Sequence, residues 1–117
     1  MRIWDVPAAA LCRQHLLGEH RELHGLWNIL TLGKRGYSHH PETRRWEGKL
    51  AALFARHEVL VAEMRRRGFE HRSPLDPALA TGAPHQDQLV TPLAEQWALL
   101  GAKPCACPLE RPPAAGR

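Results

Sequence analysis

The chain has 117 residues, 44% of them hydrophobic and 24% charged, which suits one modest core and is too short for two. Sixteen Lys and Arg against twelve Asp and Glu leave a net charge of +4, with eight histidines in reserve, a balance compatible with a polyanionic partner but insufficient to identify one. No apolar run approaches the roughly 18 residues of a membrane span, so no membrane partner is expected.

The N-terminus, MRIWDVPAAAL, carries Asp5 and Pro7 early and lacks the apolar centre of a signal peptide. A cytoplasmic, nucleoid-associated protein is expected. A first helix is expected to begin after Pro7, a good first-turn residue, and to run to about Leu32, where GKRG stops it. Cys12, Leu16, Leu23, Leu26, Trp27 and Leu30 share its apolar face. A second helix is expected from HPET, with Pro41 in its first turn, to Gly68. Its stripe is Trp46, Leu50, Leu53, Phe54, Leu60, Val61 and Met64, and Arg65, Arg66 and Arg67 complement the dipole at its end. Within it, His57 reads as a hydrogen-bonded core histidine. Residues 69–90, rich in Pro, Gly, Ser and Asp, read as a loop. TPLAEQWALLG is a short third helix with Thr91 as N-cap and Pro92 at its first position. Trp27, Trp46 and Trp97 fall on apolar faces; Trp4 fits either packing or a wedge against bases. No strand pattern competes. The expected fold is all-α, a compact single domain of about three helices with long connecting loops. It spans 1–102, with 103–117 a Pro- and Ala-rich flexible tail.

Residues 14–23, QHLLGEHREL, are unusually polar for a helix with a face to bury. At about 100° per residue, His15, Glu19, Glu22 and Leu26 form one line beside the apolar stripe, while His20, Arg21 and His24 point towards solvent or a partner. A carboxylate at such a border is either a structural ion pair or a group of shifted pKa suited to proton transfer. The pattern alone favours the ion pair. His20 and His24 have the i,i+4 spacing of metal ligands, but no third ligand is evident in the sequence. Cys105 and Cys107 form a C-x-C pair, and two thiols do not close a zinc site. No metal site is therefore assigned.

MRI at the N-terminus, QHLLGEHREL, GKR and RHEVLVAEMRRRGF together resemble the pyrimidine-dimer DNA glycosylase/AP lyase family over roughly residues 1–76. The resemblance implies a mainly helical, metal-free and cofactor-free enzyme, expected as a monomer, acting on damaged double-stranded DNA. In that family the α-amine of the mature chain attacks C1′ of the damaged nucleotide. A Schiff base forms, the base is released, and β-elimination nicks the strand. By motif match the amine belongs to Met1 and the assisting glutamate is Glu22. The DNA-binding positions are Arg2, Gln14, His15, Arg21, Lys34 and Arg35. Arg44, Arg45, Lys49 and the Arg65–Arg67 run read either as further phosphate contacts or as a solvated face.

Four features depart from the family's phage members. The first helix is about a turn shorter after Glu22, His24 or Gly25 stands where a second arginine is expected soon after Glu22, His20 replaces an aromatic residue, and an aromatic C-terminal tail has no counterpart. Cleavage at abasic sites therefore follows from the resemblance more directly than the choice of lesion. The competing functions are a non-catalytic DNA-binding or interaction domain of the same fold, and a small metal-binding helical protein.

Overall fold

The computed structural model describes residues 2–102. Met1 and the 103–117 tail, including Cys105 and Cys107, lie outside the described residues. Four α-helices follow in order: α1 Arg13–Leu32, α2 Pro41–Arg44, α3 Leu50–Arg66 and α4 Leu93–Gly101. Two short 3-10 turns, Ala8–Ala10 and Pro77–Leu79, complete the regular structure. The described residues contain no strand, and the class is all-α as expected.

Helix α1 starts later than Pro7. Ala8–Ala10 close a 3-10 turn, then Leu11 and Cys12 return to extended backbone before the helix begins. The side chain of Leu11 is fully buried, and its carbonyl accepts a hydrogen bond from Arg67 Nη2 at 2.6 Å. Tertiary anchoring thus overrides the helical start offered by Pro7. The other end falls where GKRG places it. Gly33 adopts a left-handed φ of 67°, and its N–H caps the Ile29 carbonyl.

The second expected helix is two. Helix α2 ends at Arg44, and Gly48, at φ 73°, redirects the chain before α3. The first amides of α3 have no side-chain cap. Instead, Ala51 N–H donates to the Thr81 carbonyl at 2.7 Å and Ala52 N–H to the Ala83 carbonyl at 3.1 Å, while Ala83 N–H donates back to Gly48 O. The loop therefore satisfies groups that a helix start leaves open. The approach is close: a Cβ on Gly82 would lie 2.2 Å from Gly48 O. Helix α4 starts at Leu93 with Pro92, rather than Thr91, at its N-cap.

Leu16, Leu23, Leu26 and Trp27 of α1 pack with Leu53, Leu60 and Met64 of α3. Ile3, Trp4, Val6 and Leu11 from the N-terminal segment, Leu75 from the loop and Trp97 and Leu100 from α4 close the same core. Fully burying each large apolar side chain contributes roughly 1.5–3 kcal/mol before chain entropy is counted. No helix among the described residues is long and apolar enough to cross a membrane.

Candidate functional site

The N-terminal segment is held along its length by polar side chains. Arg45, only 2% exposed, donates to the Ile3 carbonyl at 2.9 Å and to both Asp5 carboxylate oxygens at 3.1 Å. It also pairs with Glu42 at 2.5 Å, and Glu42 accepts the Trp46 indole N–H. Gln96 of α4 accepts from Asp5 N–H and donates to its carboxylate. Arg56 donates to the Val6 carbonyl and binds Glu19 through two nitrogens at 2.7 and 3.0 Å. Glu19 also accepts a hydrogen bond from the backbone N–H of Trp4. The segment is thereby fixed to α1, α3, α4 and the turn after α2.

Fixing it in this way builds a cleft. Arg2, Trp4, Gln14, His15, Gly18, Glu19, Glu22 and Leu99 line an open depression of about 330 Å³. Arg2 stacks on Trp4, with its guanidinium carbon 4.8 Å from the ring centroid, and reaches Thr91 Oγ1 at 3.4 Å. Trp4 meets His15 edge-on at 5.9 Å between centroids, and His15 Nδ1 lies 3.2 Å from Cys12 Sγ. Trp4 is therefore a buried core residue that also walls the cleft.

Two carboxylates face this cleft in different states. Glu19 is 2% exposed; burial raises its pKa above the ordinary carboxylate value, against the opposing pull of Arg56 and the Trp4 amide. Glu22 is exposed, and no described side chain pairs with it. Glu19 is thus the structural ion pair, and Glu22 is the carboxylate left available to a ligand.

Of the residues singled out in the sequence, Arg2, Gln14, His15 and Glu22 come together. Arg21 is exposed on α1 and does not line the cleft. Lys34 and Arg35 are exposed just beyond the end of α1, whose last residue, Leu32, is about 15 Å along the axis from Glu22. Two of the wider basic positions are structural. Arg45 is the hub described above, and Arg67 pairs with Glu63 at 2.7 Å while holding the Leu11 carbonyl. Neither is free to bind phosphate. Arg44, Arg65 and Arg66 remain exposed.

The other flank of α1 holds a second polar cluster. His20 and His24 do not face solvent; they are half-buried against His57 of α3 and His71 of the loop that follows it. His24 Nε2 lies 3.2 Å from His20 Nε2 and 3.1 Å from His57 Nε2. His57 is fully buried, and its Nδ1 lies 2.8 Å from the Glu58 carboxylate. Burial, reinforced by the neighbouring imidazoles, pushes His20 down to about 4 and also lowers His24 and His71. The i,i+4 spacing of His20 and His24 was the only local signal. The residues that complete the group lie 33 and more positions away, beyond the reach of a spacing rule.

A model of the pyrimidine dimer DNA glycosylase family matches residues 1–77. That span holds every cleft residue except Leu99 and all four clustered histidines. No curated protein and no solved structure matches the chain. With well over half of its 117 residues in the match, the chain belongs to the pyrimidine dimer DNA glycosylase family.

Proposed function

We propose that the protein is a DNA glycosylase with AP lyase activity whose nucleophile is the α-amine of Met1. The observation that carries this reading is the convergence of Arg2, Gln14, His15 and Glu22, which pairs with no described side chain, on one cleft, with Arg2 joined to Met1 by a single peptide bond. An α-amine has an ordinary pKa of about 7.7–8.0, against about 10.4 for lysine, so much of it is neutral and nucleophilic near neutral pH. The adjacent Arg2 cation favours the neutral form further.

In the proposed reaction the amine nitrogen bonds to C1′ of the damaged nucleotide as the glycosidic C–N bond breaks. The base leaves with the bonding pair and takes up a proton. The sugar opens to an imine linked to the protein, and loss of a C2′ proton then expels the 3′-phosphate. Glu22 is placed in two roles here: its charge stabilises the cationic sugar and imine, and it accepts the C2′ proton. Arg2 and Gln14 orient the phosphate and sugar. Glu19 holds the Trp4 amide and thereby the start of the chain. Extruding a nucleotide to reach C1′ costs a few kcal/mol, less where a lesion has already weakened stacking.

The test is borohydride trapping on abasic and on UV-irradiated duplexes, with strand cleavage followed in parallel. The expected result is a covalent protein–DNA adduct with the abasic duplex, and cleavage of the irradiated duplex at dimer sites. Salt-dependent binding with neither trapping nor cleavage would instead make the protein a non-catalytic DNA-binding domain.

A further inference from the structure

We propose that His20, His24, His57 and His71 form a binding site for one divalent transition-metal ion of the zinc class, separate from the cleft and serving to staple α1, α3 and the segment after α3 together.

The first observation is geometric. One ligand nitrogen from each of the four rings lies within 4.8 Å of every other. Zinc–nitrogen bonds of about 2.0–2.1 Å set neighbouring nitrogens about 3.3–3.4 Å apart in a tetrahedron. The two closest pairs, at 3.2 and 3.1 Å, already match that edge. The centroid of His71 lies 5.0 Å from that of His20 and 5.2 Å from that of His57, so the loop supplies the fourth corner.

The second observation concerns protons. His57 Nδ1 is engaged by the Glu58 carboxylate, so in the neutral ring the proton sits on Nδ1 and the lone pair on Nε2. That lone pair faces His24 Nε2, which simultaneously faces His20 Nε2. An imidazole nitrogen carries one proton or one lone pair in one direction. It cannot satisfy both neighbours, and protonating the rings would set cations against one another. A cation at the centre accepts all the lone pairs at once. The Glu58–His57 pair is also the arrangement by which a carboxylate orients a metal-bound imidazole. An all-imidazole donor set suits zinc, copper or nickel and disfavours magnesium or calcium.

The site is distinct from the cleft. His15 and Glu22 lie about 40° and 60° from Glu19 on one side around α1, whereas His20 and His24 lie about 100–140° from Glu19 on the other side of the apolar stripe. The metal is therefore assigned a structural role, and the lyase chemistry proposed above does not draw on it.

The test uses the full chain, stripped with chelator and titrated with zinc chloride by calorimetry, then with cobalt(II) to read coordination from its visible absorption. The expected result is one zinc ion per chain, a tetrahedral nitrogen-ligated cobalt spectrum and a higher Tm with metal. Binding should weaken at least 100-fold in H20Q/H24Q. It should weaken about 10–100-fold in Glu58→Gln, which keeps all four ligands and removes the charged acceptor of His57. C105S/C107S should bind as tightly as the unaltered chain. Failure of the unaltered chain to bind zinc stoichiometrically would overturn the proposal. So would undiminished binding in H20Q/H24Q, loss of binding in C105S/C107S, or a cobalt spectrum with thiolate charge transfer. Because the readout on the unaltered chain stands alone, misfolding of a variant leaves the proposal decidable.

Discussion

The two flanks of α1 handle polarity at the edge of the core in opposite ways. On the cleft flank, Glu19 is neutralised by Arg56 and tied to the Trp4 backbone, while Glu22 three residues on is left open. On the histidine flank, four similar groups are turned on one another with a single carboxylate, that of Glu58, bound to one of them. Charge close to the core is supported on the first flank by side chains of opposite sign. On the second flank only Glu58 plays that part among the described residues, and the four rings are gathered around a common centre. On the functions proposed for them, the first arrangement braces a reactive group and the second collects ligands.

The largest expected effect on this contrast comes from Arg56→Ala. Removing it leaves Glu19 buried without its cation and frees the Val6 carbonyl, which should cost about 3–5 kcal/mol in a urea unfolding titration. A loss below about 1 kcal/mol would mean that the pair does not brace the N-terminal segment. Next, Glu22→Gln should lower the rate of strand cleavage at an abasic site by roughly 10²–10⁴-fold while leaving the urea midpoint nearly unchanged. That separation of rate from stability distinguishes the two carboxylates. An equal loss in both measurements would make Glu22 structural.

Gly18 offers a steric test of the same flank. A Cβ there meets nothing within 4 Å, so Gly18→Leu should fold normally, project into the cleft and slow abasic-site cleavage by at least tenfold. Gly18→Ala should raise stability by up to about 1 kcal/mol. Cleavage by the leucine variant at the unaltered rate would show that the reaction takes place elsewhere. Smaller still is the effect of Lys34→Ala/Arg35→Ala. Binding to DNA should weaken without loss of the trapped adduct, and the salt dependence of log K should fall by about one per lost phosphate contact.

The smallest effect is on pH dependence. Arg66, then Arg67, hold the Glu63 carboxyl below its ordinary value near 4.5. Its folded pKa is depressed, so its contribution to stability is complete above the unfolded pKa and disappears as pH falls through the folded one. Tm of the unaltered chain and of Glu63→Gln should therefore differ at pH 6 and converge towards pH 3. A constant difference would contradict the pairing.

What was legible in the sequence was local. The cleft residues of α1 lie within nine positions of one another, and a single periodicity places His15, Glu19 and Glu22 on one line. Gly33 marks the end of α1 by its own conformation. The break at Gly48 was hidden, because its apolar neighbours continue a helical period and the groups that cap α3 come from Thr81 and Ala83. The role of Arg45 was hidden for the same reason. Nothing beside it indicates that Asp5 and the Ile3 carbonyl, forty residues earlier, will bury it. His57 read correctly as a bonded core histidine, but its partner His24 belongs to another helix. Sequence reading thus brought together the α1 residues that line the cleft and missed the long-range pairs that hold it.

The central claim is that the first amine of the chain, one peptide bond from Arg2, is the group that bonds to the sugar. Peptide mapping of the borohydride-trapped adduct on an abasic duplex tests it most directly. The account predicts that the modification falls on the α-amine of Met1 and that trapping disappears when this amine is blocked. A modification on Lys34, Lys49 or any other lysine would contradict it.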